Sequence, residues 1–215
     1  MLVCVFVQII CFSWTIRYLY MEHLYVAIAA NTPQLINTDR SVTIYISNSS
    51  SQCTLKHPRI YTYSGYCQEA PHPIIAKNTQ KSCSFTKTTC SIYGSDGVLT
   101  YQILNDRNDC IGELAIMFSV PYNYKTYGNC FALGIFEPEC PCDVNLYNKM
   151  YHESGTFTRG NGTGSSIKYS RNAVTLEGTM SPQSKSKMIV ELCDVFCYSK
   201  PKDDCQPFFS LQYYH

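Results

Sequence analysis

A chain of 215 residues with 45% hydrophobic content can bury one proper core and is short for two. Its formal net charge of +1, with lysines and arginines scattered, excludes the dense basic footprint that a nucleic-acid backbone requires. Thirteen cysteines include no C-x-x-C pair, so no metal or other cofactor is expected, although Cys140-Pro141-Cys142 could in principle meet a soft ion.

In chain order, residues 2–14 read LVCVFVQIICFSW, an apolar run of signal-peptide length, with Ala27-Ile28-Ala29 as a cleavage-like motif. The run is too short for a transmembrane helix. If translation begins at Met21 instead, residues 1–20 fall outside the protein. Over 21–35, Leu24, Ile28 and Leu35 share one face of an amphipathic helix that Pro33 interrupts. Fifteen residues at about 1.5 Å each reach about 22 Å, less than a hydrocarbon core of about 30 Å.

SVTIYIS (41–47) alternates Val42, Ile44 and Ile46 with Thr43 and Tyr45, the pattern of a half-buried strand. Cys53, Cys67, Cys83 and Cys90 fall in what reads as a loop-rich stretch, as disulfides or free thiols. Further strands are expected at 98–104, 114–120, 131–136, 167–169, 174–180 and 187–192, with turns at Pro138, Pro141, Asn161-Gly162 and Gly164. Between them, Leu146, Tyr147, Met150 and Tyr151 form one helical stripe behind an N-cap at Asp143. Recurrent short strands predict an all-β sandwich occupying a single domain over 21–194, with 195–215 as a tail.

Catalysis finds no support. The five histidines are dispersed, and GNGTGSS lacks the Gly-Lys-Ser/Thr ending of a phosphate loop. Asn48-Ser49-Ser50 and Asn161-Gly162-Thr163 are glycan acceptor motifs if the chain is secreted. The stretch 97–151 instead concentrates tyrosines: GVLTYQIL, ELAIMFSVPYNYKTYGNCFALGIF and DVNLYNKMYH. Phenol rings suit a membrane interface, and their faces attract a quaternary ammonium at roughly 0.5 to 2 kcal/mol each. A tyrosine-rich core accounts for the same composition.

The order of FSVPYNYKTY, preceded by GVLTY and followed by LYNKMYH, resembles the actinoporins, the pore-forming cytolysins of sea anemones, and closely the actinoporin-like proteins of fish. The resemblance runs over about 41–194. It implies a compact β-sandwich flanked by a short helix and an N-terminal amphipathic helix, in a protein that binds sphingomyelin, oligomerises and inserts that helix as a cation-permeable pore. It also implies secretion and action at a target-cell membrane, or a cytosolic form if translation starts at Met21. A non-lytic module for lipid headgroups or carbohydrate on the same fold is the alternative.

Carried over motif by motif, the resemblance implies a phosphocholine site at Ser64, Ser119, Pro121, Tyr127, Tyr147, Tyr151 and His152, the last standing where the family has a tyrosine. It implies a membrane-interface loop at Tyr122, Tyr124 and Phe131. Thr126 and Cys130 take the places of usual tryptophans, and Trp14 is the chain's one tryptophan. Asp96 replaces a usual valine and brings a negative charge to the phosphate's place. Arg159-Gly160-Asn161 resembles an Arg-Gly-Asp and reads as an exposed glycine turn.

Overall fold

The structure is a computed structural model that describes residues 39–195. The leader, the helix expected at 21–35, Trp14 and the tail after residue 195 lie outside the described residues. Twelve strands and one helix follow in the order β1 (Ser41–Asn48), β2 (Thr54–Ser64), β3 (Tyr66–Glu69), β4 (Ile74–Ile75), β5 (Thr79–Thr86), β6 (Ser95–Leu104), β7 (Cys110–Val120), β8 (Cys130–Phe136), α1 (Val144–His152), β9 (Phe157–Asn161), β10 (Ser166–Arg171), β11 (Val174–Met180) and β12 (Lys185–Asp194). They build two six-stranded sheets, ordered β10-β11-β12-β1-β5-β3 and β4-β2-β6-β7-β8-β9. Only β1 and β12 pair in parallel among these strands.

The sheets face each other over one core. Val42, Ile44 and Ile46 of β1 meet Leu99, Tyr101, Ile116, Phe118 and Leu133 of the second sheet, all at most 1% exposed. In the first sheet the outer side is wet, which is why β1 alternates strictly. The second sheet is buried on both sides, so β6, β7 and β8 read as nearly continuous apolar runs. Its outer face is covered by α1, whose Leu146, Tyr147 and Met150 pack on Val98, Ala115, Met117 and Ala132. Each fully buried side chain of this size contributes about 1.5 to 3 kcal/mol.

Helix α1 starts where expected: the Asp143 carboxylate accepts from the backbone N–H groups of Asn145 and Leu146, each at 3.0 Å. It ends under Arg159, whose Nε donates to the Met150 carbonyl at 2.7 Å and whose Nη2 donates to the Glu153 carbonyl. A guanidinium on the last carbonyls both satisfies them and complements the helix dipole. Arg159-Gly160-Asn161 is therefore strand β9 and not an exposed glycine turn. A Cβ on Gly160 would come within 2.6 Å of Ile167, so the glycine permits close strand packing.

The stretch read as loop-rich around Cys53, Cys67 and Cys83 contains β2 to β5. Pro58 beside His57, which has φ +52°, breaks the β2–β6 register between Lys56 and Arg59 and hides the strand pattern. Cys53 and Cys83 are buried free thiols, Cys67 is a half-buried one, and Cys90 is exposed. Asn48 is 1% exposed, with Nδ2 donating to the carbonyls of Cys53 at 2.9 Å and Ile75 at 3.2 Å. That amide cannot carry a glycan in the folded chain, whereas Asn161 is exposed.

Candidate headgroup site

The register of the second sheet sets the site. Ser64 faces Asp96, Asp96 faces Ser119, Ser119 faces Cys130 and Cys130 faces Asn161. Cross-strand partners project to one face, so a row of polar side chains crosses the sheet at one end. The neighbouring row, Val98, Met117 and Ala132, is the apolar bed of α1. The polar row thus runs along the rim of the helix, and α1 leans its tyrosines over it.

Tyr147 is 4% exposed, with Tyr63 stacked on it at 4.8 Å between centroids and Tyr151 at 5.6 Å on the helix beside it. Burial, and next the Asp96 charge, push the Tyr147 phenol well above its ordinary value. Tyr151 is raised by burial, then by Cys130, while a hydrogen bond with Ser119 opposes the rise. Burial pushes the Cys130 thiol up to about 11. At neutral pH the phenols and thiol of the row are therefore uncharged.

Asp96 is the charge of the site. The Ser64 hydroxyl donates to its carboxylate, and Ser119 hydrogen-bonds to it from the other side. Burial raises the Asp96 carboxyl, and these two hydroxyls only partly offset the rise. Among the described residues, Asp96 stands in no ion pair. Arg159, the nearby guanidinium, is turned onto the end of α1.

The structure thus brings Ser64, Ser119, Tyr147 and Tyr151 together around Asp96. Tyr127 is 59% exposed on the β7–β8 loop and near enough to Tyr151 to oppose its ionisation. His152 lies edge-on to Tyr151 at 4.7 Å. Pro121 ends the same loop's entry, and its carbonyl accepts from Arg40 Nε at 2.8 Å.

The expected interface loop is corrected at Phe131, while Tyr122 and Tyr124 are half-buried on the β7–β8 loop. Phe131 is fully buried in the sandwich core, because β8 alternates and Cys130 takes the outward position. Tyr122 lies between two cations, Arg40 at 5.6 Å and Lys87 at 5.8 Å from its ring centre. Tyr124 lies under Arg40 at 4.7 Å and donates from its hydroxyl to Asn129 Oδ1 at 2.6 Å. Arg40 Nη2 also donates to the Tyr122 carbonyl at 2.7 Å, so this loop is clamped to the chain segment just before β1.

The exposed apolar surface lies elsewhere at the same end of the sheet: Tyr63 (58%), Tyr66 (48%), Ile92 (68%), Tyr93 (66%) and Tyr127 (59%). The β2–β3 corner, where Gly65 at φ +81° turns the chain from one sheet to the other, carries the first two. Ser64 Oγ reaches the Gly94 carbonyl at 3.1 Å and so ties the Ile92-Tyr93 turn to the polar row. Sequence reasoning named Tyr127 but passed over Tyr63, Tyr66, Ile92 and Tyr93; for the last two the available signal was two bulky side chains in a short turn, Ser91-Ile92-Tyr93-Gly94. Among the described residues no group of three or more His, Cys, Asp or Glu is placed to hold a metal ion, and no helix is long and apolar enough to cross a membrane.

Comparisons with known proteins agree with this architecture. The family profile described as sea anemone cytotoxic protein matches residues 27–193. DELTA-alicitoxin-Pse1b of Phyllodiscus semoni is 26% identical over 159 residues, covering 72% of this chain and 65% of the toxin. Bryoporin of Physcomitrium patens is 25% identical over 161 residues, covering 74% of this chain and 86% of bryoporin. DELTA-actitoxin-Aeq1a of Actinia equina is 29% identical over 132 residues, covering 59% of this chain and 56% of that toxin. The chain therefore spans less than two thirds of the length of these two anemone relatives. Among solved structures, the lipid binding protein Nakanori shares the fold at a TM-score of 0.55 and 11% identity, covering 71% of this chain and 70% of its own. With the profile matching from the segment before β1 to the end of β12, the chain belongs to the sea anemone cytotoxic protein family, the actinoporins.

Proposed function

We propose that this protein is a membrane-acting cytolysin: it docks on phosphocholine headgroups, sphingomyelin in particular, through the tyrosine-rimmed row, oligomerises, and inserts its N-terminal helix as a cation-permeable pore. The observation that supports docking is the coincidence of two features at one end of the second sheet. Exposed Tyr63, Tyr66, Ile92, Tyr93 and Tyr127 supply amphipathic and apolar contact with the interface. Beside them, ring faces and hydroxyls supply contacts for a quaternary ammonium and its neighbours.

Insertion by a helix follows from the need to satisfy backbone groups in lipid, which a sandwich with open edges cannot do. Arg40 supplies a link between the two events, because it holds the loop 121–124 from the segment that leads into β1. The proposal places the protein in the secreted state and at a target membrane, with a cytosolic form as the alternative.

A second reading, binding without lysis to lipid headgroups or carbohydrate, is favoured by one observation. Thr126 is exposed and Cys130 half-buried where the family resemblance implies tryptophans, so interfacial anchoring is weaker. Dye release and co-sedimentation, run together on vesicles with and without sphingomyelin, separate the readings. Sphingomyelin-dependent release supports the pore; binding without release supports the second reading; neither overturns the membrane assignment.

A further inference from the structure

In the polar row, the two hydroxyls best placed to hold a phosphate are already committed. Ser64 has one proton, and its oxygen lies against both the Gly94 carbonyl, at 3.1 Å, and the Asp96 carboxylate. Ser119 is engaged with the same carboxylate and with the Tyr151 hydroxyl. The place between the serines is thus filled by an anion that belongs to the protein. No cation answers it among the described residues, and the rings of Tyr63, Tyr147 and Tyr151 stand beside it. A partly buried carboxylate held by hydroxyls and by no cation, next to electron-rich rings, is completed by an organic cation.

We propose that Asp96 acts as a built-in counter-ion in the position of the headgroup phosphate, so that the site selects small quaternary ammonium ligands that carry no phosphate of their own. The proposal rests on the reading of this row as a headgroup site and narrows what the row accepts. A phosphate brought against Asp96 meets a like charge in a poorly solvated place and finds its two hydroxyl donors occupied. The ammonium half gains both the carboxylate and the rings.

Protonation of Asp96 reverses this preference. The groups that face it are Tyr63 and Ser64 from β2, Ser119 from β7, Cys130 from β8, and Tyr147 and Tyr151 from α1, with Arg159 of β9 and His152 at the helix end farther out. Burial raises the Asp96 carboxyl above its ordinary 3.8, while the phenols of Tyr147 and Tyr151 and the Cys130 thiol stay protonated at neutral pH. With Asp96 uncharged the site therefore loses its preference against phosphocholine.

Calorimetric titration of the full chain with choline, tetramethylammonium and phosphocholine tests this, using the wild type, Asp96→Asn and Tyr127→Ala/Tyr151→Ala. The wild type at neutral pH is expected to bind choline roughly tenfold or more tightly than phosphocholine. Asp96→Asn is expected to lose that preference. Equal wild-type affinities at neutral pH, or a preference unchanged in Asp96→Asn, overturn the counter-ion while leaving the headgroup site standing. Phosphocholine binding by Asp96→Asn with no choline binding by the wild type does the same. If no protein binds any of the three ligands, or the tyrosine double variant binds as well as the wild type, the site itself fails and the counter-ion with it.

Discussion

The outer face of the second sheet carries a carboxylate at each end of the bed of α1, and the two are held differently. Glu113 is fully buried, and Arg59 Nη2 meets it at 2.5 Å while also donating to the Cys140 carbonyl. Asp96 is only partly buried, yet its partners are hydroxyls alone. A buried acid with its own guanidinium anchors the β8–α1 connection to the sheet. An acid left beside open tyrosine rings keeps its charge for something that arrives from outside. Polar groups at the two rims of one helix thus serve fold and recognition separately.

Removing the guanidinium is the largest expected perturbation. Arg59→Ala leaves Glu113 charged and unpaired, and about 3 kcal/mol of stability should disappear from a urea unfolding curve. Glu113 Oε2 already lacks a partner. Adding Glu113→Leu should therefore restore most of the loss, and a double variant as unstable as the single one would show that Arg59 acts by packing instead.

At the recognition end the effects are smaller. Arg159→Ala uncovers the last carbonyls of α1 and should cost about 1 kcal/mol, with headgroup affinity falling as Tyr151 loses its support. A variant of unchanged stability would detach Arg159 from the helix end.

Asp96→Asn should act in the opposite direction and least. The folded-state carboxyl is raised above its ordinary 3.8 by burial, so ionised Asp96 opposes folding once the pH exceeds the folded value. Asparagine keeps an acceptor for the serines and removes that cost. The thermal midpoint should rise at neutral pH, and the gain should shrink as the pH falls through the folded-state value toward 3.8. A midpoint that falls at neutral pH would mean the carboxylate is a stabilising charge like Glu113.

The contrast also explains what the sequence made legible. Strands β1, β6, β7, β8, β10, β11 and β12 announced themselves because their burial is regular, alternating where one face is wet and continuous where both are covered. Asp143 and the Leu146, Tyr147, Met150 stripe did the same for α1. Strand β2 was hidden by Pro58 and its bulge, and β3 and β4 are too short to show a period. In the site, the actinoporin resemblance pointed to Ser64, Ser119, Tyr147 and Tyr151, and the cross-strand register sets the two serines on either side of Asp96.

What residue types could not supply was direction. Phe131 looked like a neighbour of the loop tyrosines, yet one position along β8 decides between core and rim, and Cys130 has the rim. Tyr122 and Tyr124 gave no sign in the sequence of Arg40, 82 residues from Tyr122, which holds the Tyr122 carbonyl and lies over both rings. Ile92, Tyr93, Tyr63 and Tyr66 are more exposed than either.

The central claim is that the tyrosine-rimmed row docks the protein on a headgroup. Co-sedimentation with sphingomyelin vesicles at neutral pH tests it most directly when the wild type is compared with Tyr127→Ala/Tyr151→Ala, with unfolding curves confirming that both are folded. The account predicts binding by the wild type and loss of binding by the double variant. Undiminished binding by a folded double variant would contradict it.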